Sequence, residues 1–212
     1  MWISFYNKKG IGDTLLLSSG TTDRYNVSIK TVGDITQVSQ TDTGQVIGYN
    51  LANISKYLDL GDRLGSFELS PQEQNKVLNL VKQAEFDTSH LDLTPKAALV
   101  VGYVEACQPH PDSDHLSITQ TRISEDQVLQ IVCGASNVKA GQKVVVASPG
   151  TVMPNGAIIW LGQLRGLDSF GMLCSARELG IDTNNQKKGI LVLGEAAPVG
   201  APFTKEIYAT FQ

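Results

Sequence analysis

The side chains that could do chemistry gather in two runs and one short patch between them. The first run is His110-Pro111-Asp112-Ser113-Asp114-His115-Leu116, which packs two imidazoles and two carboxylates into a turn-rich stretch. The second spans 164–180 and reads L-R-G-L-D-S-F-G-M-L-C-S-A-R-E-L-G, carrying Arg165, Ser169, Ser175, Arg177 and Glu178. Guanidinium groups are planar forks of donors suited to two-point contact with phosphate or carboxylate. The hydroxyls of Ser169 and Ser175 can meet the same ligands, and Ser169 could equally cap the segment that follows it. Glu178 would repel an anion, so its expected role is to hold an arginine or a backbone donor. Between the runs, Lys139 and Lys143 flank the turn Ala140-Gly141. They are either phosphate contacts or solvated surface lysines. Asn137 beside them either reaches a sugar or phosphate, or caps a local turn.

Other chemistries find less support. Cys107, His110, His115 and Cys133 could be imagined around an ion, but the Cys-x-x-His fragment lacks the second paired half of a zinc site. No metal is therefore expected. The chain shows no phosphate-binding P-loop, no dinucleotide glycine pattern following a strand and no nucleophile elbow. Neither a cofactor nor an enzymatic activity is expected. Asp114 is read as a fastener of its loop through backbone N–H groups, as short acidic side chains are in turns. His110 and His115 complete that loop.

These residues must be held by folded elements. Up to about residue 60 the chain reads as short strands punctuated by glycine: Ile3 and Phe5 share a face, as do Leu15 and Leu17, and Val27 and Ile29 alternate with polar neighbours. A helix is then announced by Ser70, Pro71 and Glu73, which form a capping box with proline at the first helical position. Val77, Leu80, Val81 and Ala84 give that helix an apolar stripe. A small α+β domain over 1–90 is expected, then a polar, proline-ended linker over 91–96.

From 97 to 212 the pattern turns all-β. Strands are expected at 97–107, 116–123, 128–133, 143–147 and 157–164, with an irregular segment at 135–140. A helix is expected near 170–179 and a short strand at 190–193. Five strands with such an insertion between the third and fourth suggest an OB-fold, a five-stranded Greek-key barrel.

Composition restricts the ligands. The chain has 212 residues, formal net charge −4, a sequence pI near 5.3 and only 7% aromatic residues. Up to Lys96 there are nine basic against eleven acidic residues, and after it eight against ten. Phosphate neutralisation dominates non-specific nucleic-acid affinity, so strong non-specific binding is not expected. The second and third strands contain no aromatic residue, which removes a stacking platform for loose single strands. No apolar run approaches membrane-spanning length. The opening residues are too short and too polar in their sequel for a signal peptide, and three widely spaced cysteines do not make a disulfide framework. A cytoplasmic protein with no membrane attachment is expected.

The H-P-x-S-D-x-L run, the L-R-G-x-x-S-x-G-M-L-C-S-x-x-E-L-G run and the tail G-I-L-V-L-G-E-A-A-P-V-G at 189–200 resemble the tRNA-binding domain at the front of bacterial phenylalanyl-tRNA synthetase β chains. The resemblance covers roughly 97–203. A small first domain followed by this one is similar to the free-standing, YtpR-type tRNA-binding proteins of bacteria. Two departures stand out: Ser113 where the family usually has alanine, and His115 where it often has lysine. The resemblance implies an OB-fold that binds tRNA by shape without aminoacylating it. Asn137, Lys139, Lys143, Arg165, Ser169, Ser175 and Arg177 would then touch RNA, with His110, Asp114, His115 and Glu178 shaping the loops. The rival reading is a protein-interaction or dimerisation module built on the same barrel without RNA, and a homodimer remains open.

Overall fold

The computed structural model describes residues 1–95, 99–181, 188–204 and 208. They are mostly β, with few helical residues, and the chain divides into two compact units, Met1–Lys96 and Ala97–Gln212.

The first unit is a six-stranded antiparallel sheet. Its strands are β1 (Ile3–Asn7), β2 (Thr14–Ser18), β3 (Val27–Val32), β4 (Ile35–Gln40), β5 (Val46–Ala52) and β6 (Leu64–Phe67), ordered β3-β4-β5-β2-β1-β6. A single helical turn, α1 (Lys8–Ile11), follows β1. The longer helix α2 (Pro71–Gln83) starts at Ser70, whose hydroxyl accepts from Glu73 N–H while the Glu73 carboxylate accepts from Ser70 N–H. Val77, Val81 and Ala84 of its stripe are buried in one cluster with Leu15, Leu17, Tyr49 and Leu51 of the sheet. Leu91 and Leu93 join that cluster, so part of the segment read as a linker is core of the first unit.

The second unit is built on β7 (Leu99–His110), β8 (Ser113–Arg122), β9 (Val128–Cys133) and β10 (Lys143–Ala147), all antiparallel to their neighbours. A small separate hairpin, β11 (Gly162–Leu164) and β12 (Leu167–Ser169), precedes β13 (Met172–Leu173) and β14 (Val192–Leu193), which both pair with β10. The sheet order is β13-β10-β7-β8-β9. Strand β10 is apolar and buried from Val144 to Ala147 because both faces are covered there. Val144 and Val146 pack with Val100, Val104 and Ile131, whereas Val145 and Ala147 pack with Val101, Met153, Cys174 and Leu179.

Two expected elements differ. In the segment read as a strand over 157–164, only 162–164 forms a regular strand, which pairs with β12 rather than joining the larger sheet, and Ile158 makes a single antiparallel bridge to Val152. Its earlier part folds back on itself, with Met153 N–H donating to Ala157 C=O and Ile159 N–H to Thr151 C=O. The helix expected near 170–179 is absent. Gly171 sits at φ +142, Met172 and Leu173 pair with Ala147 and Val146, and only one turn follows, closed by Gly180 at φ +64.

Candidate functional site

His110 ends β7 and is 4% exposed. Its Nδ1 accepts a hydrogen bond from Asp112 N–H at 3.0 Å, so the ring proton must sit on Nε2. Nε2–H then donates to Leu164 C=O at 3.3 Å. The first motif thereby grips the second across 54 positions of chain. Both ring nitrogens are committed, and neither is offered to an ion. Ser113 supports the same turn by accepting from His115 N–H at 3.3 Å. Asp114, read as the fastener, is exposed and makes no such bond among the described residues; the fastening falls to His110 and Ser113. His115 is exposed beside it.

Leu164 and Leu167 close a two-residue hairpin loop made of Arg165 at φ +49 and Gly166 at φ +80. Both central residues at positive φ is the signature of a type I′ turn, which suits the twist of the strands and favours Asn-Gly. An arginine in this region is uncommon and carries a backbone cost of about 1 kcal/mol. Its side chain is exposed and, among the described residues, has no ionic or hydrogen-bonded partner.

Several other candidates are engaged internally. Ser169 is 4% exposed; its hydroxyl accepts from Val132 N–H at 3.1 Å and donates to Gly171 C=O at 3.2 Å, stapling the hairpin base to β9. Gln130 adds to this staple, its side chain donating to Asp168 C=O and its own C=O accepting from Phe170 N–H. Asn137 behaves as a strand would: its carboxamide donates to Ile190 C=O at 3.0 Å and accepts from Ile190 N–H at 2.9 Å. Gly189 at φ +93 lies against it, and a Cβ there would run into the Asn137 carboxamide. Lys143 donates through Nζ to Glu195 C=O. The Ser175 hydroxyl accepts from Glu178 N–H at 3.2 Å while the Glu178 carboxylate accepts from Ser175 N–H at 2.7 Å, so the two cap their own turn.

The cations left exposed and unpaired among the described residues of this unit are Lys139, Arg165, Arg177 and Lys188. They lie on three connecting segments: after β9, between β11 and β12, and between β13 and β14. Arg165 stands beside the β7–β8 turn, Arg177 lines a groove with Pro154 and Asn155, and Lys188 lines another with Asn137. Arg122 is tied to Glu105 at 2.7 Å. Lys188 escapes a motif reading because only its charge marks it. Burial pushes the Cys174 thiol up to about 12 and also raises Cys133, leaving Cys107 as the most accessible of the three cysteines.

The second unit is of the kind described as a putative tRNA binding domain, a family whose model matches residues 99–202; a model described as a domain of unknown function (DUF4479) matches 22–92. The putative tRNA-binding protein YtpR of Bacillus subtilis is 44% identical over 90% of this chain and 93% of its own. The chain belongs to the family of that protein. The phenylalanine–tRNA ligase β subunit of Porphyromonas gingivalis is 50% identical over 49% of this chain but only 13% of its own length. That of Oceanobacillus iheyensis is 54% identical over 40% of this chain and 10% of its own. The chain thus matches only a small part of the ligase subunits. No described helix is long and apolar enough to cross a membrane.

Proposed function

We propose that this chain binds tRNA without catalysis, through a second unit that is a five-stranded barrel of the OB type. The ligand is suggested by the family; the observation within the structure that carries the reading is Arg165. An arginine with no partner among the described residues is held at the tip of a hairpin in a backbone region that glycine or asparagine would occupy more comfortably. Strain kept at an exposed position argues for a role outside the fold. Arg177, Lys139 and Lys188 are the further phosphate contacts. Asn137, Lys143, Ser169 and Ser175 are assigned to holding those cations in place, since their polar groups already have partners inside the protein.

Cations spread over three connecting segments of an acidic chain suit a large, rigid RNA better than a loose strand. A folded tRNA offers phosphates at fixed positions over a wide surface, and it needs no aromatic platform. The first unit has no assigned chemistry, the setting is cytoplasmic, and the boundary between the units falls near 96. The rival, a barrel used for protein contact or homodimerisation, is favoured by the acidic balance and by His115 standing where the family often has lysine. Titrating labelled, folded tRNA with the full chain at low salt distinguishes the two. Saturable binding that a tRNA competes away supports the proposal, and its absence leaves the rival.

A further inference from the structure

We propose that His110 is a positioning residue for Arg165, so that the first motif serves RNA binding through the second; this rests on the reading of Arg165 as a phosphate contact. The hairpin β11–β12 has three residue pairs, Gly162–Ser169, Gln163–Asp168 and Leu164–Leu167, and forms a two-stranded sheet of its own. A two-stranded hairpin is marginal by itself, so its placement depends on what ties it to the barrel. Its base is tied at several points: Ser169 to Val132, Phe170 to Gln130 and Gln130 to Asp168. Its tip is tied differently. Among the described residues, the one hydrogen bond from the barrel to the tip runs from His110 Nε2 to Leu164 C=O, the residue immediately before Arg165.

The two nitrogens of His110 do separable work. Nδ1 organises the β7–β8 turn by accepting from Asp112 N–H, and Nε2 reaches the hairpin. The imidazole is buried while Leu164 is exposed, so the bond is sheltered on its His110 side and restrains the tip while it holds. Removing it leaves the base stapled and the barrel core untouched, while the guanidinium samples a wider volume. Binding then carries the added cost of ordering the tip.

Substitutions at position 110 divide these roles. The amide of asparagine stands where Nδ1 was, and that of glutamine where Nε2 was. His110→Asn keeps the local turn and loses the reach; His110→Gln keeps the reach. Affinity for folded tRNA is measured for wild type, His110→Asn, His110→Gln, Arg165→Ala and His110→Asn/Arg165→Ala, with thermal melts confirming the fold. In parallel, amide hydrogen exchange at Gly166 and Leu167 is read in the RNA-free protein. His110→Asn is expected to weaken binding several-fold and speed exchange at the tip, His110→Gln to restore both, and His110→Asn to have no further effect once Arg165 is gone. Equal losses from His110→Asn with and without Arg165 would overturn the coupling, as would unchanged exchange at the tip. Loss of tRNA binding by wild type, or none from Arg165→Ala, would instead refute the phosphate role of Arg165 while the exchange data still judge the tether.

Discussion

The salt dependence of tRNA binding follows from which cations the fold leaves unpaired. In the second unit these are Lys139, Arg165, Arg177 and Lys188 among the described residues; Lys187 and Lys205 lie outside them. Each neutralised phosphate contributes roughly 0.7–0.9 to the slope of log Kobs against log salt concentration. Four contacts give a slope of about −3, so affinity should fall roughly 60-fold between about 50 and 200 mM monovalent salt. Arg165→Ala should reduce the magnitude of the slope by about 0.8, and Arg177→Ala likewise. Lys143→Met should change the slope less than either arginine variant, because its ammonium is directed to the Glu195 carbonyl, which leaves its charge in place but turns it away from a direct phosphate contact. Fluorescence anisotropy with a labelled tRNA at five or more salt concentrations supplies the data. If Lys143→Met flattens the slope as much as Arg165→Ala does, the sorting of cations into engaged and available is wrong. A slope that neither arginine variant alters would remove both from the interface.

Three further outcomes are expected. Gly189→Ala must place a side chain against Asn137 at φ +93, so a loss of roughly 2–4 kcal/mol is expected from strain and broken Asn137–Ile190 hydrogen bonds. Urea unfolding followed by Trp160 fluorescence in a Trp2→Phe background reads it, and an unchanged midpoint would sink the account. Asp13 is held below the usual carboxylate range first by the Ser55 hydroxyl bond and further by the Tyr6 hydroxyl. A lowered folded value means that its stabilisation is present above the unfolded pKa of about 4 and is lost as pH falls through the folded one. Asp13→Asn should therefore flatten the acid limb of the first unit's stability, measured by circular dichroism in urea at stepped pH. Native-state labelling with a thiol reagent near pH 8 should modify Cys107 first, with Cys174 modified only as fast as the unit opens. Rapid modification of Cys174 in the folded protein would contradict its burial.

What could be read from the sequence was mainly local or periodic. The start of α2 was legible because Ser70, Pro71 and Glu73 act within one turn, and β10 because an uninterrupted Val-Val-Val run fits a strand covered on both faces. The 170–179 segment misled because Met172, Leu173, Ala176 and Leu179 fall at helical spacing, whereas the spacing arises from a two-residue strand followed by a one-turn cap. The bonds that decide the site were out of reach of any period: His110 to Leu164 spans 54 positions and Asn137 to Ile190 spans 53.

That gap explains why so many motif residues looked like ligand contacts. Short polar side chains satisfy a distant backbone group as readily as they meet a phosphate, and in sequence the two uses look alike. Once Asn137, Lys143, Ser169, Ser175 and Glu178 are seen to be committed, the motifs divide by role. A minority of residues faces outward with unneutralised charge, and the majority fixes where that charge stands. Arg165 shows the division within one turn: the carbonyl before it is gripped by His110, the glycine after it accepts the turn, and the guanidinium between them has no partner among the described residues, as the proposed phosphate contact requires.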